Sequence, residues 1–193
     1  MAKWPVFLEI KKLPKGRVFG IMEIMNKFES AYTGKLIEEE VFGGLDRERV
    51  GVLNDIGKTY LPYRQAMEIV KKMQPFDPSD PEPLFANDLH ATIAEGLKLD
   101  DYDRLKFFTA LNSHLDFFHG VDAFFELTLE DGKKIVITLD ITQNVSSKDT
   151  CKADVLILMP DQGLDPQDDR KMYTDKIKQT AEEIVAIIKS KAD

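Results

Sequence analysis

Cysteine is almost missing from this chain. Cys151 is the only one in 193 residues, which excludes an intramolecular disulfide, and no His-Asp arrangement accompanies it to mark a nucleophile. No apolar run approaches the roughly 18 residues of a membrane span, and the opening MAKWPVFLEIKKLPKG lacks the apolar middle of a signal peptide. A cytoplasmic protein with no membrane partner is therefore expected. An excess of positive charge is missing too: 26 Lys and Arg face 34 Asp and Glu, for a net charge of −8. That is not the footprint of a nonspecific nucleic-acid binder, although a locally basic or metal-loaded groove remains compatible with it. Gly43-Gly44 is not followed by Lys-Ser/Thr, so it is no phosphate-binding glycine loop. Internal repeats, low-complexity tracts and heptad runs are absent as well.

What is there is 43% hydrophobic and 31% charged, ordinary for a soluble chain of one domain or one domain with an elaboration. The acidity is uneven: residues 1–84 hold 13 basic and 13 acidic residues, and residues 85–193 hold 13 and 21. Val18, Ile21, Met22, Met25 and Phe28 recur at helical spacing within 17–32, as do Leu61, Ala66, Ile69, Val70 and Met73 within 59–73. These N-terminal helices are candidates for binding a protein partner. Glu38-Glu39-Glu40 reads as a solvated helical face.

Four prolines within 75–83 cannot continue a helix and mark a joint. They divide a helical N-terminal region, 1–84, from an α/β core over 85–193. In that core Asn87 or Asp88 can cap a helix running to about Gly96, and Asp100 can cap a second one containing Leu105, Phe108 and Leu111. KADVLILMP, 152–160, reads as a short central strand. Residues 168–189 read as a long amphipathic helix. The fold expected is α/β (α+β): a small mixed sheet with an antiparallel hairpin and a third strand, flanked by helices.

The hairpin is the most specific element. The apolar runs VDAFFELTL and KIVITLDIT are joined by Glu130-Asp131-Gly132. A two-residue loop would pair Glu130 with Lys133 and mix charge into the apolar face. A three-residue loop with Gly132 in the left-handed position pairs Leu129 with Lys133 instead. Val121, Ala123, Phe125 and Leu127 then face Ile141, Leu139, Ile137 and Ile135, so the buried face selects this register. Asp122 falls opposite Asp140 on the other face. Opposed residues have Cβ atoms roughly 4.5–5.5 Å apart, where like charges destabilise a sheet, so the pair calls for a proton or a cation.

The segment Leu115-Asp116-Phe117-Phe118-His119-Gly120-Val121-Asp122, followed by Asp140-Ile141-Thr142, resembles the PD-(D/E)xK nuclease superfamily over about residues 101–190. In that family a helix leads into a hairpin whose strands supply two acidic metal ligands and an acidic-x-Lys step. The resemblance implies Asp122 and Asp140 as ligands for Mg²⁺ or Mn²⁺, and it implies metal-dependent hydrolysis of nucleic-acid phosphodiesters by an endonuclease or exonuclease, with DNA ahead of RNA as partner. Position 142 departs from the pattern, being Thr where the family has Lys. An ammonium from the following segment is the expected replacement, from Lys152 or Lys148, with Lys152 the better placed because it opens the next strand. His119 is an accessory candidate as ligand or proton acceptor. Asp116 and Glu95 are candidates for the acidic residue of the core helix. The family also usually has a further strand after its last helix, where this sequence stops at Asp193. The alternative is a catalytically inactive protein of nuclease fold that serves as an interaction or structural module. Phe107, Phe108, Phe117, Phe118, Phe124 and Phe125 read as core packing rather than as a base-stacking platform.

Overall fold

A mixed four-stranded sheet organises the chain in the computed structural model, which describes residues 34–46, 59–143 and 152–192. All of these lie in one unit, Gly34–Asp193. In chain order the elements are a helix over 34–42 (α1), α2 (Tyr63–Lys72), α3 (Leu84–Leu97), β1 (Leu105–Thr109), α4 (His114–His119), β2 (Ala123–Thr128), β3 (Lys134–Thr142), β4 (Val155–Leu158) and α5 (Arg170–Ala192). The strand order is β1-β2-β3-β4, antiparallel except for β3 and β4, which run parallel. With helices on both faces this is an α+β fold.

The hairpin has the register that the turn predicts. Phe124 pairs with Thr138 and Glu126 with Val136, Leu129 donates its amide to Lys133 O at 2.8 Å, and Gly132 has φ +81°. A side chain there would be strained, which is why the turn ends on glycine.

Both faces of the sheet are covered. Phe107, Phe125, Ile137 and Leu139 point into the larger core with Ile37 and Phe42 of α1, Leu89 and Ile93 of α3, and Ile177 and Ile184 of α5. Phe108, Phe124 and Val121 face Ala66, Met67 and Val70 of α2 and Leu115 of α4. Residues on either side of the proline segment thus share one core. That segment also shields the edge strand: Phe107 donates its amide to Pro78 O at 2.7 Å, and the Gln74 side chain accepts from Thr109 N at 3.0 Å and donates to Thr109 O at 2.9 Å. Covering an edge in this way removes a template for strand addition.

Several boundaries differ from those the sequence predicts. Leu105–Thr109 is a strand rather than part of a capped helix, because burial on both sheet faces removes the alternation that identifies a strand. The helix leading into the hairpin is instead α4, capped by Ser113, whose hydroxyl accepts from Leu115 N and Asp116 N, and ended by Gly120 at φ +62°. Neither Asn87 nor Asp88 caps α3, which starts at Leu84 after Pro83; Asn87 bonds back to Pro81 O, and Asp88 accepts from the Tyr173 hydroxyl. The expected strand over 155–158 lies at the edge, not the centre, and Leu105–Thr109 makes the sheet four-stranded where three strands were expected. The helix expected over 17–32 lies outside the described residues. Among the described residues no helix is long and apolar enough to cross a membrane.

Candidate functional site

One end of the sheet gathers carboxylates from four segments. Asp122 immediately precedes β2 and is 6% exposed. Its backbone is held from both sides, with its N–H donating to Leu139 O at 2.9 Å and its carbonyl accepting from Ala110 N at 2.7 Å. Its side chain turns toward β3, where Oδ2 accepts from Ile141 N at 2.8 Å. The register that pairs Ala123 with Leu139 sets Asp140 across from Asp122. Asp116, on α4, accepts from Asn112 N through Oδ2 at 2.7 Å. Asn112 adopts the left-handed conformation at φ +62°, a region that Asn tolerates better than most residues, and its side-chain Nδ2 donates to Glu39 Oε1 of α1 at 3.3 Å. Asn112 thereby ties α1 to α4 beside the cluster.

The fourth carboxylate is Glu38 of α1. Burial, Asp116 and Asp140 push it up to about 7 against the pull of Lys35. Burial also raises Asp116, with Asp140 adding to it while the Asn112 amide and Lys35 oppose. For Asp122, burial is the leading cause and Asp140, Glu38 and Asp116 reinforce it; the Ile141 amide opposes, and the outcome is a carboxyl pushed up to about 9. At neutral pH Asp122 therefore keeps its proton, and the cluster sheds part of its mutual repulsion in that way.

The predicted residues divide accordingly. Asp122, Asp140 and Asp116 belong to this cluster, and Thr142 follows Asp140 by two positions on the same face of β3, its carbonyl accepting from Met159 N at 2.9 Å. Glu95 is on an exposed part of α3, in the groove facing Lys178 and Glu182 of α5. His119 bonds the Leu61 carbonyl through Nε2 at 2.9 Å and packs against Tyr60 and Tyr63, a structural role. Lys152 is exposed and lies three residues before Val155, which pairs with Leu139; the parallel register puts it toward the start of β3, away from Asp140. Lys148 and Cys151 lie outside the described residues. Glu38 was hidden in the Glu38-Glu39-Glu40 run, which is not a uniformly solvated face: Glu38 and Glu39 are half-buried and only Glu40 is exposed.

No protein-family model, curated protein or solved structure gives a significant match to this chain. The chemistry of the site therefore rests on its own residues. Its donors are carboxylate oxygens, the type that Mg²⁺ and Mn²⁺ prefer, and Asp122 Oδ1 makes no hydrogen bond to a described residue while Oδ2 is engaged. Among the described residues, no three acidic, histidine or cysteine side chains stand close enough together to hold a metal ion. The donor set suits a hard cation in kind, and its present spacing suits protons.

Proposed function

We propose that the chain carries a nuclease-like core whose carboxylate cluster binds Mg²⁺ or Mn²⁺ in support of phosphodiester hydrolysis. The observation that carries this reading is the convergence of Glu38, Asp116, Asp122 and Asp140, from α1, α4, the start of β2 and the end of β3, near enough that Asp140 raises the other three carboxyls and Asp116 raises Glu38 and Asp122. Asp122 and Asp140 would hold the ion, and a Mg²⁺ bound there would supply neutralisation of phosphate charge and a more acidic water. The chain's own contribution is to hold Asp122 rigidly through Leu139, Ala110 and Ile141 and to release its proton when a cation competes for the oxygen.

Thr142, in place of an ammonium-bearing side chain, favours the second reading, a nuclease fold retained as an interaction module. Calorimetry with MnCl₂ distinguishes the two. The first reading expects heat from the parent and none from Asp122→Asn or Asp140→Asn, together with divalent-dependent cleavage of a labelled oligonucleotide. A parent silent toward Mn²⁺ and Mg²⁺ would remove the enzyme.

A further inference from the structure

Lys35, the second residue of α1, brings an ammonium to the edge of the carboxylate cluster. Three contacts along α1 fix where that side chain starts. At the head of the helix a side chain added to Gly34 would come within 3.4 Å of Gln143 Oε1, so α1 begins beside the end of β3, three positions beyond Asp140. In its middle Glu39 accepts from Asn112 Nδ2 at 3.3 Å, and just past its end Gly43 O accepts from the Thr109 hydroxyl at 2.6 Å. Glu38 and Glu39 follow Lys35 by three and four positions, the spacing at which side chains are neighbours on a helix. Lys35 itself is exposed, so its long stem leaves the ammonium room to approach the cluster or to withdraw from it.

We propose that Lys35 is a built-in competitor for the divalent ion of this site: its ammonium supplies the positive charge when no ion is bound, and it lowers the affinity for one. The inference rests on the nuclease-like reading, whose ion it concerns. Two carboxylates register the ammonium. Burial is the leading reason that Asp116 is raised; the Asn112 amide opposes it most, and Lys35 opposes it more strongly than Asp140 reinforces it. Glu38, raised by burial and then by Asp116 and Asp140, is drawn down by the same lysine. Other lysines on or against the sheet are engaged elsewhere. Lys71 and Lys134 pair with Glu126, Lys191 pairs with Asp154, and Lys152 lies toward the start of β3. A fixed positive charge repels a divalent ion twice as strongly as a proton at the same place, so it biases an acidic cluster toward holding protons. That bias fits a donor set that suits Mg²⁺ in kind while its spacing suits protons.

The test is calorimetry of the full chain with MgCl₂ at pH 8.5, where protons compete little, on the parent, Lys35→Gln and Lys35→Arg. The glutamine variant should bind Mg²⁺ roughly threefold to tenfold more tightly. Arginine restores the charge and should return the parent affinity, and about 0.5 M KCl should shrink the difference by screening. A lysine that only packs against the fold would show neither effect. Thermal midpoints in EDTA give a readout without metal: Lys35→Gln should melt below the parent, and by less when Asp116→Asn is already present. If the parent binds Mg²⁺ and the glutamine variant binds it equally or more weakly, the inference is overturned and the nuclease reading stands. Silence toward Mg²⁺ in all three proteins removes the nuclease reading and the competition with it; coupled midpoints would then retain Lys35 as the counter-charge of the cluster, and uncoupled ones overturn that as well.

Discussion

Ile141 donates its amide to the Asp122 carboxylate at 2.8 Å, and three residues earlier on the same strand Thr138 donates its amide to the Asp154 carboxylate at 2.9 Å. The first bond is on the β2 side of β3 and the second on the β4 side. Each aspartate stands in for a strand carbonyl, so a buried amide stays satisfied where the ladder ends. The neighbours then separate the two. For Asp154, burial is outweighed by Lys191 at 2.7 Å and by the amide and hydroxyl of Thr138, and the carboxyl is held below its ordinary range. Asp122 has carboxylates around it and is pushed the other way. The same device closes both edges, and only one of them gathers negative charge.

Replacing Asp122 tests whether its oxygen or its charge matters to the fold. Asparagine retains an acceptor for Ile141 N, so Asp122→Asn should fold with stability within about 1 kcal/mol of the parent, whereas Asp122→Ala strands a buried amide and should cost about 1–3 kcal/mol. Urea denaturation at pH 7 measures both. Equal losses in the two variants would contradict the ladder-closing role.

The pH dependence follows from the raised carboxyls. In the unfolded chain Asp122 and Glu38 return to their ordinary values of 3.8 and 4.5, so from about pH 4 upward the folded state binds more protons than the unfolded one. Their contribution is fully present below about pH 4. It is lost as pH rises, through about 7 for Glu38 and about 9 for Asp122. The thermal midpoint should fall between pH 6 and pH 9.5 in the parent and fall less in Asp122→Asn. A midpoint that rises over that range would contradict the protonated cluster.

Asp154 carries the opposite sign. Its lowered carboxyl contributes stability above its unfolded value, and that contribution disappears as pH falls through the folded one. Asp154→Asn should lose about 1 kcal/mol at pH 7, a modest figure because the Lys191 side chain is 40% exposed, and the deficit should narrow as pH falls below the unfolded value of 3.8. Denaturant midpoints across pH 3–7 provide the comparison.

The hairpin register was legible because two independent signals agreed: the glycine of the turn and the requirement that Ile135, Ile137, Leu139 and Ile141 share a face. Neither signal exists for Leu105–Thr109. Its neighbours on both faces are helices, so Leu105, Phe107 and Phe108 are all buried, and Leu105, Phe108 and Leu111 also fall at helical spacing. Asp122, Asp140 and Asp116 could be read because their positions follow from the hairpin and the segment leading into it. Glu38 could not. Its meeting with them depends on how α1 packs across the end of the sheet, through Asn112 and Thr109, whose hydroxyl donates to Gly43 O at 2.6 Å. Long-range packing of this kind leaves no local pattern. The exposed rings of Phe117 and Tyr60 escaped for the same reason, since aromatic composition alone does not tell core from surface.

Glu126 offers the last prediction, because it links the sheet to α2, whose first residue is Tyr63. It is 4% exposed, yet its Oε2 meets Lys71 of α2 at 2.6 Å and its Oε1 meets Lys134 of β3 at 2.8 Å. Burial would raise this carboxyl, but the two ammonium groups outweigh it and hold it low. Breaking a fully buried pair costs about 3–5 kcal/mol. Here the Lys134 side chain is 57% exposed and returns to water easily, and Lys71 retains Glu68 at 3.2 Å, so Glu126→Gln should lose only about 1–2 kcal/mol. Glu126→Met fills the space beside Phe124 and Val136 with apolar atoms and should recover much of that loss, because both lysines have solvent within reach. Urea midpoints for the two variants decide the point. A methionine variant weaker than the glutamine one would mean that the ion triad, rather than packing, holds α2 and its Tyr63 against the sheet.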